Sequence, residues 1–291
     1  MSKSSNLATR VLAPATRLLL ILQAALVVTG GAVRLTGSGL GCPTWPECTP
    51  GSYTPVPFQP QPLLHVWIEF GNRLLTFVLV LASVGVIIAV LKSRRKDLRG
   101  LAVGQFLGIF GQGVLGGITV LTNLNPIPVA GHLLLSIILI AGATSLYSRR
   151  SAPVVFIKPL PLTSKISILH LITSFVIIIL GTIVTGSGPH AGDAQAQRFG
   201  FDIRTVAWLH ADVVIFLLGL TFAFFVAAGT SDQSKKAIKV FAVVALTQGG
   251  IGYVQYFTGI PEILVAAHLL GATLVWIAAW RIRLSVITKN G

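Results

Sequence analysis

Four of the six histidines, His65, His132, His210 and His268, fall within the first turns of apolar stretches, the second, fourth, sixth and eighth along the chain. An ionisable group among lipid-facing side chains is expensive, about 2.5–3.5 kcal/mol on insertion scales for Arg, Lys or Asp, so intramembrane polar residues need partners or functions. Bis-imidazole ligation of haem answers that need, because two imidazoles facing each other across a bundle hold the iron axially while apolar walls take the porphyrin. Two bundles would give two haem sites. The competing reading is that each imidazole only hydrogen-bonds to a neighbouring helix. A zinc centre fits poorly, since helix ends in separate bundles do not readily make a tetrahedral cluster. His170, near the start of the fifth stretch, and His190, in the loop "GPHAGD", read as structural or loop residues.

The second stretch also carries an acid. In "HVWIEFGNR", Glu69 lies one turn after His65 on the same helical face, with Asn72 and Arg73 one turn further in. Glu69 reads either as half of a salt bridge with Arg73 or as a catalytic carboxylate. The sixth stretch, "WLHADVVIF", offers no equivalent, because Asp212 follows His210 by only two residues and faces elsewhere. This divergence assigns chemistry to the first half and a permanent cofactor to the second. The two cysteines, Cys42 and Cys48, share one loop and are too few for a zinc or iron–sulfur site; an oxidising exterior would favour a disulfide between them.

These residues need a membrane frame. Hydrophobic residues make up 53% of the chain and charged residues only 10%, against roughly 25% charged in soluble domains. Eight apolar stretches are long enough to cross about 30 Å of hydrocarbon: Arg17–Leu35, Leu64–Leu91, Leu101–Leu121, Val129–Leu146, Ile166–Ser187, Val206–Ala228, Ala237–Phe257 and Ile263–Ile282. The first runs straight into "TGSGLGCPTWPEC" with no small-residue cleavage site, so it is expected to be retained, and no soluble domain remains to be placed. The net charge of +14 does not indicate nucleic acid. Lys3, Arg10 and Arg17, five residues of "KSRRKDLR", Arg149, Arg150, Lys158 and Lys165, Lys235, Lys236 and Lys239, and Arg281, Arg283 and Lys289 all fall on one side, 18 of the 22 basic residues. The positive-inside rule makes that side, with both termini, cytoplasmic.

The chain repeats. "GQGVLGGITVLTNLNPIPVAGHLL" (Gly111–Leu134) aligns without a gap on "TQGGIGYVQYFTGIPEILVAAHLL" (Thr247–Leu270), pairing Gln112 with Gln248 and His132 with His268. Thr36-Gly-Ser-Gly39 recurs as Thr185-Gly-Ser-Gly188. An all-α membrane protein follows, eight helices in two pseudo-twofold related four-helix bundles over residues 1–150 and 151–291, with their sites at one depth.

"GGAVRLTGSGLGCPTWPEC", the acid of the second helix and the histidine of each even-numbered helix together resemble the haem A synthases. The resemblance covers nearly the whole chain. It implies an oxidoreductase that converts a peripheral methyl of haem O to a formyl group by successive hydroxylations, making haem A for cytochrome oxidase in the cell membrane. It also implies haem b in the C-terminal half on His210 and His268, substrate haem in the N-terminal half on His132, Glu69 as the essential acid, and Cys42 and Cys48 as the external cysteine pair. Many members read Glu-X-X-His-Arg in the second helix, whereas this chain has Glu69-Phe70-Gly71-Asn72-Arg73. An amide is a poor axial ligand, so His132 would act alone or with His65, which sits about 10 Å above Asn72. Arg34 and Arg73 become candidates for haem propionates. Haem O synthase, a membrane electron acceptor and further copies of the chain are the expected partners. A non-catalytic di-haem membrane cytochrome is the alternative reading, and a transporter the third.

Overall fold

The computed structural model describes residues 3–57, 59–227 and 229–289, with side chains described from Arg10 to Thr288. The expected sixth-span end at Ala228 and the outer ends of the two expected units, residues 1–2 and 290–291, lie outside the described residues. Among the described residues eight helices are long and apolar enough to cross a membrane: α1 (Lys3–Leu35), α2 (Leu63–Lys92), α3 (Arg99–Leu121), α4 (Pro126–Ser148), α5 (Pro161–Ser187), α6 (Ile203–Val226), α7 (Asp232–Phe257) and α8 (Glu262–Ile287). Every expected span falls on one of them. The helices outrun the apolar stretches, most of all α1, because hydropathy reports hydrocarbon thickness while a helix continues through the polar boundary; the exception is the end of α6, which stops at Val226, with Ala227 already extended. Pro14 is accommodated inside that polar-side extension.

Side-chain caps set where two of the histidine-bearing helices, α4 and α6, begin, while α2 and α8 start after Pro62 and Pro261 without one. Asn125 accepts from the backbone N–H of Ile127 at 3.0 Å, with Pro126 in the first turn of α4, where its missing N–H costs nothing. Asp202 accepts from the hydroxyl and the N–H of Thr205 at the head of α6, which holds its carboxyl below the usual aspartate range.

The helices close into two rings. In the first, α1 packs on α2 and α4, and α3 on α2 and α4; in the second, α5 packs on α6 and α8, and α7 on α6 and α8. The rings meet where α1 and α4 touch α8 and α4 touches α5. Each ring has its own apolar core. Leu12, Leu19, Leu79, Val86, Ile109 and Leu146 are buried in the first, and Leu217, Phe224, Ile238, Phe241 and Ile282 in the second. A third cluster, Val27, Ile137, Ile140, Ile178 and Trp276, fills the seam between rings. There α8 donates twice to α4, from Trp276 Nε1 to the Ile137 carbonyl and from Trp280 Nε1 to Ser145 Oγ, both at 2.7 Å.

The repeat recurs as local geometry. The α3–α4 turn takes positive φ at Asn123 (52°) and Leu124 (58°), and the α7–α8 turn at the aligned Gly259 (81°) and Ile260 (61°). A left-handed conformation costs roughly 1–2 kcal/mol in a residue with a Cβ, most for a β-branched one, so this reversal is held by its surroundings. Leu124 is buried, and the Ile260 carbonyl bonds Nε2 of His190 at 2.9 Å. A two-stranded antiparallel ribbon was not foreseen: β1 (Val155–Phe156), in the linker between rings, pairs with β2 (Thr288–Lys289) beyond α8.

Candidate functional site

His210 on α6 and His268 on α8 face each other across the second ring, with ring centres 6.4 Å apart and planes inclined by 60°. Two imidazole nitrogens about 2 Å from one metal ion place the ring centres about 6 Å apart, so this pair suits axial ligation of a haem iron. Each imidazole also lies against a glycine of a neighbouring helix. A methyl on Gly181 of α5 would lie 3.5 Å from Cε1 of His210, and one on Gly252 of α7 would lie 3.0 Å from Cε1 of His268. Of the walls, α5 buries Thr182 and Gly186 beside and above this level, whereas the other three helices bury nothing there. The buried residues of α6 begin at Leu217 and those of α8 at Thr273, while those of α7 end at Ala245, all below the histidines.

The aligned position of the first ring holds His132 on α4. The Gln112 amide donates to the His132 carbonyl at 3.1 Å, as the Gln248 amide donates to that of His268 at 2.7 Å. Gly116 lies beside the His132 imidazole as the aligned Gly252 lies beside His268; a methyl there would be 3.3 Å from Cε1. The paired glycines escaped the sequence reading, although both stand at matched positions of the repeat. Nδ1 of His132, His210 and His268 is buried without a hydrogen-bond partner. Asn72 faces α1 instead, its Oδ1 accepting from Thr29 Oγ1 at 2.8 Å. The imidazole of His65 lies beside Gly37, in the loop after α1.

Glu69 is 5% exposed and belongs to a dense polar knot. Its Oε2 accepts from the Cys42 N–H at 2.7 Å, and its Oε1 accepts from Arg73 Nη2 at 2.7 Å and Nε at 3.2 Å. The same guanidinium donates to the carbonyls of Cys42, Thr44 and Glu47 at 2.7, 3.0 and 3.1 Å. The salt bridge anticipated for Glu69 is therefore formed. Its reach into the loop was not visible beforehand, because irregular backbone carries no periodic signal. The Cys42 and Cys48 sulfurs lie within bonding distance, and both residues are fully buried. The loop drops Trp45 onto α3, its indole pressed against Gly117, the residue after Gly116.

Arg34, at the end of α1, donates from Nη2 to the Thr185 carbonyl at 2.6 Å and from Nε to the His190 carbonyl. It lines a cavity of about 40 Å³ between the rings with Leu124, Val129, Thr182 and Gln197. His170 is fully buried, its Nε2 3.1 Å from the Thr221 hydroxyl and its ring edge-on to Phe241, while its Nδ1, like those of the other three, has no partner. His190 ties the α5–α6 loop to the α7–α8 turn. Asp212 is exposed.

A membrane protein of eight described spanning helices, with an imidazole pair in one ring and a single matched imidazole in the other, is the class that fold and site define. The chain belongs to the COX15-CtaA family, cytochrome oxidase assembly proteins, which it matches over residues 15–280. It is 27% identical over 312 aligned positions to the heme A synthase of Azorhizobium caulinodans, covering 87% of this chain and 88% of that protein. It is 30% identical over 207 positions to the heme A synthase of Shewanella oneidensis, covering 66% of this chain and 61% of that protein. With the heme A synthase of Geobacillus kaustophilus it shares 33% identity over 102 positions, a segment spanning 34% of this chain and 30% of that relative's length.

Proposed function

We propose that the chain is a haem A synthase, an oxidoreductase that hydroxylates a peripheral methyl of haem O successively until the geminal diol loses water to a formyl group. The product, haem A, serves cytochrome oxidase. The carrying observation is the His210–His268 pair, 6.4 Å between ring centres, in a chain of this family. In this reading residues 1–150 form the substrate unit and residues 151–291 the cofactor unit, related by a pseudo-twofold axis.

His210 and His268 hold haem b, which when bound supplies one-electron transfer. Gly181 and Gly252 leave room for the two imidazoles, whose Cε1 atoms lie beside them, and Nε2 of each ring is the nitrogen that would take the iron. In the other unit His132 binds the iron of substrate haem O. His65 is the alternative or additional ligand there, although it stands beside Gly37. Glu69 is the acid–base group, oriented by donors on both carboxyl oxygens. Arg73 orients Glu69 and holds the loop, so it reaches a haem propionate only if the loop moves. Arg34 keeps Nη1 outside its two backbone bonds and is the better candidate for a propionate. Cys42 and Cys48 form a disulfide that keeps the loop closed.

The distribution of basic residues supports a topology with both termini in the cytoplasm and the histidine ends of the rings at the outer face of the cell membrane. Haem O synthase, a membrane electron acceptor and other copies of the chain are the partners this role calls for. A non-catalytic di-haem cytochrome is the weaker reading, because Asn72 faces Thr29 where a second facing imidazole would be needed. The test is expression with a haem O supply, followed by mass analysis of extracted haems. Haem A is the expected product, and haem b alone would leave the cytochrome.

A further inference from the structure

The two rings differ at the end away from the histidines. There α2 and α3 are sealed by Val86, Ala89 and Val90 against Leu98 and Ala102. The equivalent helices of the second ring, α6 and α7, part to leave an open groove of about 280 Å³. That is close to the ~300 Å³ at which ligand clefts begin. Leu218, Phe222, Phe225, Ile238, Ala242 and Leu246 make its walls, so the interior is apolar. The polar element is at the rim. Lys239 lines the groove and extends its ammonium to 5.6 Å from the Phe225 ring centre. Lys235 and Lys236 stand one turn earlier on the same helix, at the spacings that put them on the Lys239 face.

Asp232 is the acid of that helix's first turn, and among the described residues none of the three lysines has a carboxylate within 4.0 Å. Three free ammoniums over an apolar slot, at the end of two membrane-spanning helices, match one kind of occupant. The slot takes an acyl chain, the ammoniums take a phosphodiester, and the excess of positive charge selects a headgroup that carries net negative charge.

We propose that the α6–α7 groove is a binding site for an anionic phospholipid, its chain lying between Phe225 and Ala242 and its headgroup on Lys239 with Lys235 and Lys236. One lipid per chain fills one such groove.

The experiment is native mass spectrometry of the full-length protein, with its own haem, after exchange into detergent containing dioleoylphosphatidylglycerol or dioleoylphosphatidylcholine. One phosphatidylglycerol should stay bound per chain where phosphatidylcholine is lost. Lys239→Gln should weaken retention about fivefold, and the triple variant Lys235→Gln, Lys236→Gln, Lys239→Gln should lose the headgroup preference, each lysine adding a similar factor. Ala242→Trp fills the slot without touching charge and should abolish retention. Equal retention of the two lipids by the unaltered protein overturns the proposal, as does unchanged retention in Ala242→Trp. Retained haem absorbance in every variant confirms that each has folded.

Discussion

The first and second rings present the same frame, a glutamine on the odd helix bonded to the histidine carbonyl of the even one and a glycine beside that histidine, yet they furnish it oppositely. In the second ring two imidazoles face each other and α6, α7 and α8 bury nothing above them. The first ring keeps one histidine at the matched position, turns Asn72 onto Thr29, and binds the Cys42–Cys48 loop through the Glu69–Arg73 knot, the loop's Trp45 lying on Gly117 of α3. A repeated scaffold can thus keep its helix packing while its histidines diverge. On the proposed function, the ring with two facing imidazoles would retain what it binds, and the ring with one would suit binding that ends in release.

The sharpest way to break this contrast is to remove one imidazole at a time. His210→Ala and His268→Ala should each abolish the low-spin bis-histidine spectrum of the purified protein, while His132→Ala should leave that spectrum in place and stop haem A formation. A low-spin spectrum surviving in either of the first two variants would move the resident haem elsewhere.

Glu69→Gln comes next. It keeps the shape of the side chain and its reach to the Cys42 N–H, but removes charge and basicity. Haem A yield should fall at least about a hundredfold with resident haem unchanged. A near-normal yield would reduce Glu69 to an anchor for the loop.

Asn72→His makes the first ring resemble the second. It should raise haem occupancy of the first ring and slow product release severalfold, measured as haem retained through purification; unchanged occupancy would mean that position 72 does not look toward the substrate iron. The smallest effect is expected at the matched glycines. Gly252→Ala, with only 3.0 Å to the imidazole, should shift the low-spin spectrum, whereas Gly116→Ala, with 3.3 Å, should spare it and lower haem A yield a fewfold.

Much of this arrangement was legible in the sequence, for physical reasons. Apolar stretches of fixed length mark helices because lipid leaves the backbone no other partner. An ungapped repeat gives His132 and His268 the same local frame, a glutamine amide on the carbonyl and a glycine beside the ring, because turns of equal length join their helices. What escaped was held by contacts without period. Arg73 finds three carbonyls of an irregular loop, Trp45 finds Gly117, and Arg34 finds backbone oxygens across the seam. The spacing of His65 and Asn72 was readable, but their partners Gly37 and Thr29 lie on another segment. A two-residue exposed strand gives no pattern either, so the β1–β2 ribbon stayed hidden.

That ribbon bears on the order in which the protein is made. Val155 and Phe156 leave the ribosome just after the first ring, but Lys289 and Thr288, their partners, follow the last helix. At the ~5–20 residues per second of synthesis, the strand between the rings waits several seconds or more for its mate. The join is therefore a record of completion: it can close only on a chain whose eight helices have all been translated.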